Sequence, residues 1–128
     1  MNLKEFYEAS GGDYEDAVQR IRNEDMLKKF VMKYAADPSY SNLTAAVADK
    51  DWETAFRSVH TIKGIAQNLG FDRLQAAAEL LTEDLRGPSE LSSEKLLEDV
   101  SVCHAEIIDA IKALEDYEYK LTGSEVRA

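Results

Sequence analysis

Asp51-Trp-Glu-Thr-Ala-Phe-Arg-Ser-Val-His60-Thr-Ile-Lys-Gly-Ile-Ala-Gln-Asn-Leu-Gly70 is the stretch whose reading decides the fold. Its apolar residues Trp52, Ala55, Phe56, Val59, Ile62, Ala66 and Leu69 recur at steps of three and four. That spacing lays one apolar stripe along an amphipathic helix. Asp51 stands where a carboxylate accepts from the first free amides of a helix. Gly70 stands where a residue with a left-handed backbone ends one. The spacing predicts a helix over 52–69.

The pattern repeats on both sides. Residues 2–10 read as a short helix with Leu3, Phe6 and Tyr7 on one side, broken by Gly11 and Gly12. Asp13 then caps a short helix carrying Tyr14, Ala17, Val18 and Ile21. Asn23 caps a helix with Leu27, Phe30, Val31 and Tyr34 inward, ending near Asp37 and Pro38. Pro38 suits the first turn of a further helix with Leu43, Ala46 and Val47. Downstream, 72–86 carries Leu74, Ala77, Ala78, Leu81 and Leu85 inward, and Gly87 with Pro88 ends it. Ser92 or Ser93 caps a last long helix to about 121, with Leu96, Val100, Cys103, Ile107, Ile111 and Leu114 on one face.

Two prolines and six glycines leave few breaks, and no strand-like alternation is present. The expected fold is all-α: an antiparallel up-down four-helix bundle with short extra N-terminal helices. The expected organisation is one domain. Residues 1–23 flank the bundle, 24–121 form it, and 122–128 are a frayed tail.

The 128 residues suffice for one core but not for a nucleotide-binding catalytic domain plus anything else. A net charge of −10 makes nucleic acid and anionic membrane surfaces poor partners. Cys103 is the single cysteine, so no intramolecular disulfide is possible, and a reducing, cytoplasmic location is expected. Its apolar neighbours predict a buried, inert thiol. No basic start followed by an apolar run indicates a signal peptide, and no apolar run reaches the ~20 residues of a membrane span. No zinc spacing, EF-hand, phosphate-cradling glycine loop or hydrolase elbow occurs. Glu24-Asp25 and Glu83-Asp84 read as helix surface, and Lys50 and Arg57 as solvated or lining a docking face.

On the 52–69 helix, with Trp52 at zero, the stripe runs from about 260° to about 40° at ~100° per residue. Lys63 falls at its margin near ~20°, Gln67 near ~60°, His60 near ~80° and Gly64 near ~120°. An imidazole, an ammonium, an amide and a bare glycine thus share one patch, because +3, +4 and +7 are the helical neighbours of a residue. A neutral imidazole nitrogen is a nucleophile near neutral pH. An ammonium beside it stabilises the charge that builds on phosphoryl oxygens, and Gln67 can donate a further hydrogen bond. Gly64, outside the stripe, leaves room for a partner's backbone or a phosphoryl group. Taken singly, a histidine on a helix edge is structural, a lysine is surface charge and a glycine marks a bend. Their coincidence carries the argument. His104 is the control: it lies among Leu97, Val100, Ile107, Ile108 and Ile111 without a Lys, Arg or Gly at those offsets, and reads as a core-edge histidine.

The run from His60 through Gly70 resembles the signature of histidine-phosphotransfer (HPt) domains: His, any residue, a large aliphatic, Lys, Gly, four residues, an aliphatic, Gly. Ile62, Leu69 and Gly70 match it too, and the helical pattern resembles the family over most of 24–117. The resemblance implies that His60 accepts a phosphoryl group, that Lys63 stabilises it and that Gly64 keeps the site open. Gln67 stands where members vary. A polar residue of the next helix, Glu79 or Thr82, would orient the imidazole. The implied function is a two-component phosphorelay carrier that exchanges phosphoryl groups with response-regulator receiver domains or a hybrid histidine kinase. It would have no kinase activity and no cofactor of its own, with Mg²⁺ supplied by the receiver. Glu53, Phe56, Gln67 and Phe71 are the expected docking residues. The alternative is a pseudo-HPt bundle that binds a partner without being phosphorylated.

Overall fold

The computed structural model describes the backbone of residues 1–127 and the side chains of residues 1–117. Among the described residues there are seven helices: α1 (Leu3–Ser10), α2 (Tyr14–Ile21), α3 (Glu24–Tyr34), α4 (Ser39–Ala48), α5 (Trp52–Leu69), α6 (Asp72–Leu85) and α7 (Glu94–Arg127). The chain is all-α. Helices α4 to α7 follow one another as packed neighbours, α5 lying between α4 and α6 and α6 against α7. The short connections between them impose the antiparallel, up-down order. Helix α1 packs on α7, and α2 reaches α3 and α5.

The ends of these helices follow local chemistry. Asn2 and Glu5 form a reciprocal capping box on α1. The carboxylate of Asp13 and the side-chain amide oxygen of Asn23 accept from Asp16 N–H and Met26 N–H at 3.0 Å. Asp51 accepts from the Thr54 amide at 3.2 Å and its hydroxyl at 2.6 Å. These bonds to the charged form hold the Asp51 carboxyl below its ordinary value. Gly70 closes α5 with φ 69°, and a side chain there would also collide with Asp13 O and Ala17.

The α1–α2 junction is latched onto that closing turn. Asp13 N–H donates to Gly70 O at 2.9 Å. The buried Tyr7 hydroxyl donates to Leu69 O at 2.6 Å, and desolvation pushes the Tyr7 phenol well above its ordinary pKa. Phe6, Tyr7 and Tyr34 surround Phe71 with ring centroids 5.6 to 6.1 Å away. The two short N-terminal helices therefore seal one end of the core.

Several expected faces are narrower in the structure. On α5 the buried set is Ala55, Ser58, Val59, Ile62, Ala66 and Leu69, so Trp52 and Phe56 lie half-buried at its edge. Phe30 is 38% exposed, because α3 buries Leu27, Val31 and Tyr34 and leaves Phe30 at the margin. Cys103 is half-buried rather than sealed, yet desolvation still raises its thiol pKa and keeps it protonated. The last helix continues through Arg127 instead of ending near 121. No proline interrupts 118–127, and one helical glycine costs only about 1 kcal/mol. Ala128 and the side chains of 118–127, and so every side chain of the expected tail 122–128, lie outside the described residues.

Candidate functional site

The cap at Asp51 and the stop at Gly70 set the register of α5, and that register fixes what its outer face presents. His60 and Gln67 are exposed, and Lys63 and Gly64 are half-buried. The helix therefore brings the imidazole, ammonium, glycine and amide onto one patch, at successive i+3 and i+4 steps. A methyl group built on Gly64 would meet no atom within 4 Å, so nothing inside the fold requires glycine there. Lys63 is half-buried, and its charge adds to that of Arg86, the main cause, in holding the Glu83 carboxyl of α6 below its ordinary value.

The residues expected to orient the imidazole do not reach it. Thr82 is fully buried and its hydroxyl donates to Ala78 O at 2.6 Å, one turn back on its own helix. Glu79 is exposed. Among the described residues no hydrogen bond to the His60 ring is present. Its neighbour is Phe56, one turn earlier, with ring centroids 6.1 Å apart and planes 11° from parallel. Above Phe56 lies the Arg86 guanidinium, 5.5 Å from the ring centroid. Glu83 grips that guanidinium in a fork, at 3.1 Å to Nε and 2.8 Å to Nη2. The Arg86 bonds are the chief reason the Glu83 carboxyl is held low, and Glu83 in turn holds Arg86 firmly charged.

Of the expected docking residues, Glu53 and Gln67 are exposed and Phe56 is half-buried, Glu53 being paired with Arg57. Phe71 is not available. It is fully buried beneath the α1 aromatics, because α1 folds over the α5–α6 turn. Instead, an apolar groove of about 280 Å³ opens beside the C-terminal half of α5, lined by Ile21, Phe30, Tyr34, Ile65, Asn68 and Leu69 among others. Asn68, one turn beyond Gly64 on α5, lines this groove, while His60, Lys63, Gly64 and Gln67 do not.

His104 lies away from this patch. Its ring stacks on Tyr40 at 3.8 Å with planes 9° apart, and its Nδ1 lies 2.8 Å from the Tyr34 hydroxyl. Burial lowers its pKa. It is the core-edge histidine expected, with two tyrosine partners the sequence did not reveal. Lys50 is solvated, with a left-handed backbone of φ 57° at the α4–α5 turn. Glu83 and Asp84 are helix-surface groups: Glu83 holds Arg86, and Asp84 receives the Ser92 amide at 2.9 Å and its hydroxyl. Ser92 thus ties the connection to α6 rather than capping α7.

Among the described residues no group of three or more His, Cys, Asp or Glu side chains is placed to hold a metal ion. No helix among them is long and apolar enough to cross a membrane. Among known families, the one described as the Hpt domain matches residues 25–117. In comparisons with curated proteins and with solved structures, nothing matches.

Proposed function

Because the chain belongs to the Hpt domain family, whose members are phosphotransfer modules of two-component relays, we propose that it carries a phosphoryl group on His60 between receiver domains. The observation that carries this reading is a water-facing imidazole with a lysine three residues on and open space over the glycine four residues on. A receiver bearing an aspartyl phosphate docks on the outer face of α5 and the groove beside it. With Nδ1 protonated, the Nε2 lone pair attacks phosphorus in line. The P–N bond forms as the P–O bond to the aspartate breaks, and the receiver regains its carboxylate. The ring is left as an N-phosphoryl imidazolium, which can release its Nδ1 proton to water.

Lys63 meets the charge on the phosphoryl oxygens as they pass between the two acceptors. Gln67, one turn beyond Lys63, supplies a further donor. The Mg²⁺ that such transfers use belongs to the receiver's acidic site. In the second half-reaction Nδ1 takes a proton back from water, a receiver aspartate attacks the phosphorus, and the P–N bond breaks to release neutral imidazole. The chain is then a carrier with no ATP-dependent kinase step, working in the cytoplasm.

Incubation with receiver domains charged by radiolabelled acetyl phosphate tests this. The expected result is acid-labile, base-stable label on the chain that disappears in His60→Gln. Label that persists in His60→Gln, or no label from receivers that do bind the chain, overturns it and leaves a partner-binding bundle.

A further inference from the structure

We propose that Phe56, held in place by the Arg86–Glu83 pair, orients the His60 imidazole for phosphoryl transfer, in the role usually given to a hydrogen-bonding side chain. The inference rests on the phosphoacceptor role of His60 and names the groups that position it. An imidazole on an exposed helix face exchanges among χ1 rotamers and has a broad χ2 unless something holds it. Thr82 is spent on Ala78 O, Glu79 is turned to solvent, and no hydrogen bond reaches the ring among the described residues. Among the described residues, the one aromatic ring against it is Phe56, nearly parallel and 6.1 Å away. That separation lies within the range of offset-stacked pairs.

Phe56 is itself only half-buried and needs a support of its own. The support comes from the next helix. Arg86, at the C-terminal end of α6, lays its guanidinium 5.5 Å from the Phe56 centroid, within cation–π range. The Glu83 fork fixes that guanidinium in direction as well as position. Glu83, Arg86, Phe56 and His60 thus form a chain of contacts from the end of α6 to the nucleophile. Glu83 feels the charge of both Arg86, the chief cause of its lowered pKa, and Lys63. Phe56 and Arg86 are positioning residues here: they set where Nε2 points without bonding to the phosphoryl group.

The test uses the full chain with phosphoramidate, a small donor that needs no docking surface. The His60 Nε2–P bond forms as the donor's P–N bond breaks and ammonia leaves with a proton. Phosphorylation is timed by intact mass, and the His60 ring protons are followed by NMR. In the wild type these protons should be shifted upfield by the Phe56 ring current. Phe56→Leu should lose that shift and react about tenfold more slowly, since small misplacements of a nucleophile are costly. Phe56→Tyr should restore both. Arg86→Gln should weaken both in part, with thermal midpoints within ~2 °C of wild type throughout. Wild-type ring shift and rate in Phe56→Leu overturn the inference. So does a slow Arg86→Gln with an unchanged His60 ring shift, which makes Arg86 a simple charge on the phosphoryl group. If the wild type takes no phosphoryl group from either phosphoramidate or charged receivers, the carrier reading itself falls, while the ring shifts still report whether the stack exists.

Discussion

Gly64→Ala is expected to make the folded chain more stable and the relay slower. A glycine inside a helix costs about 0.8–1.0 kcal/mol relative to alanine, chiefly in backbone entropy. At most helix-packing glycines a methyl would collide and cancel that gain, but at Gly64 it meets no atom within 4 Å. The full propensity difference should therefore appear as stability. For a chain of 128 residues, at about 2.1 cal/mol/K of unfolding entropy per residue, that is a rise of about 3–4 °C in the thermal midpoint. The same methyl stands one turn from His60 on the face the receiver must approach. Holding a docked receiver even ~1 Å away from in-line geometry slows transfer by about ten- to a hundredfold. Calorimetry of the variant and stopped-time transfer from a charged receiver measure the two effects on one sample. A fall in midpoint would mean that the space over Gly64 is not free. A raised midpoint with wild-type transfer would mean that the glycine does not serve partner access, and the docking geometry argued above would be wrong.

Tyr7→Phe should cost about 1–2 kcal/mol in urea unfolding, because the buried Leu69 carbonyl loses its partner at the turn that closes α5; a neutral result would mean water replaces the hydroxyl there. Thr82→Val should leave phosphoryl transfer unchanged and shift stability by less than about 1 kcal/mol, since the hydroxyl only bonds back along its own helix; slow transfer with an intact fold would show that it reaches the imidazole after all. Stability should also depend on His104 below neutral pH. The unfolded ring titrates near 6.5 and burial holds the folded one lower, so between those values the unfolded chain binds more protons. Its contribution is present in full above 6.5 and is lost as the pH falls through that window. Urea midpoints measured from pH 8 to pH 5 should drop less steeply in His104→Gln than in the wild type, and equal slopes would contradict the burial argument.

What could be read in the sequence was what neighbours in the chain decide. Asp13, Asn23 and Asp51 cap their helices through bonds spanning three residues, and Gly70 ends α5 through its own backbone freedom. Once α5 had its ends, the shared face of His60, Lys63, Gly64 and Gln67 followed from 3.6 residues per turn. Contacts between distant segments were not legible in this way. Phe71 reads as an exposed residue in a loop until α1, more than sixty positions earlier, folds Phe6 and Tyr7 over it. Tyr34 and Tyr40 look like ordinary helix residues until α7 brings His104 between them. Thr82 was a fair candidate by sequence position, and failed because its hydroxyl found a carbonyl one turn back.

The Phe56–His60 stack lies between these cases. Its two rings are one helical turn apart and so are local, and a sequence reader can place them side by side. Side by side does not mean parallel, however, since each ring has two torsions of its own. What decides the plane of Phe56 is a guanidinium from another helix, and what aims the guanidinium is the carboxylate three residues before it. Glu83 and Arg86 are legible as an i,i+3 pair, worth little by itself at an exposed site. Only the packing of α6 on α5 sets that pair over Phe56. On the positioning proposal above, a surface ion pair that adds almost nothing to stability sets the direction of an imidazole two contacts further on. Its worth should be sought in the ring shifts and transfer rate of His60 rather than in a melting curve.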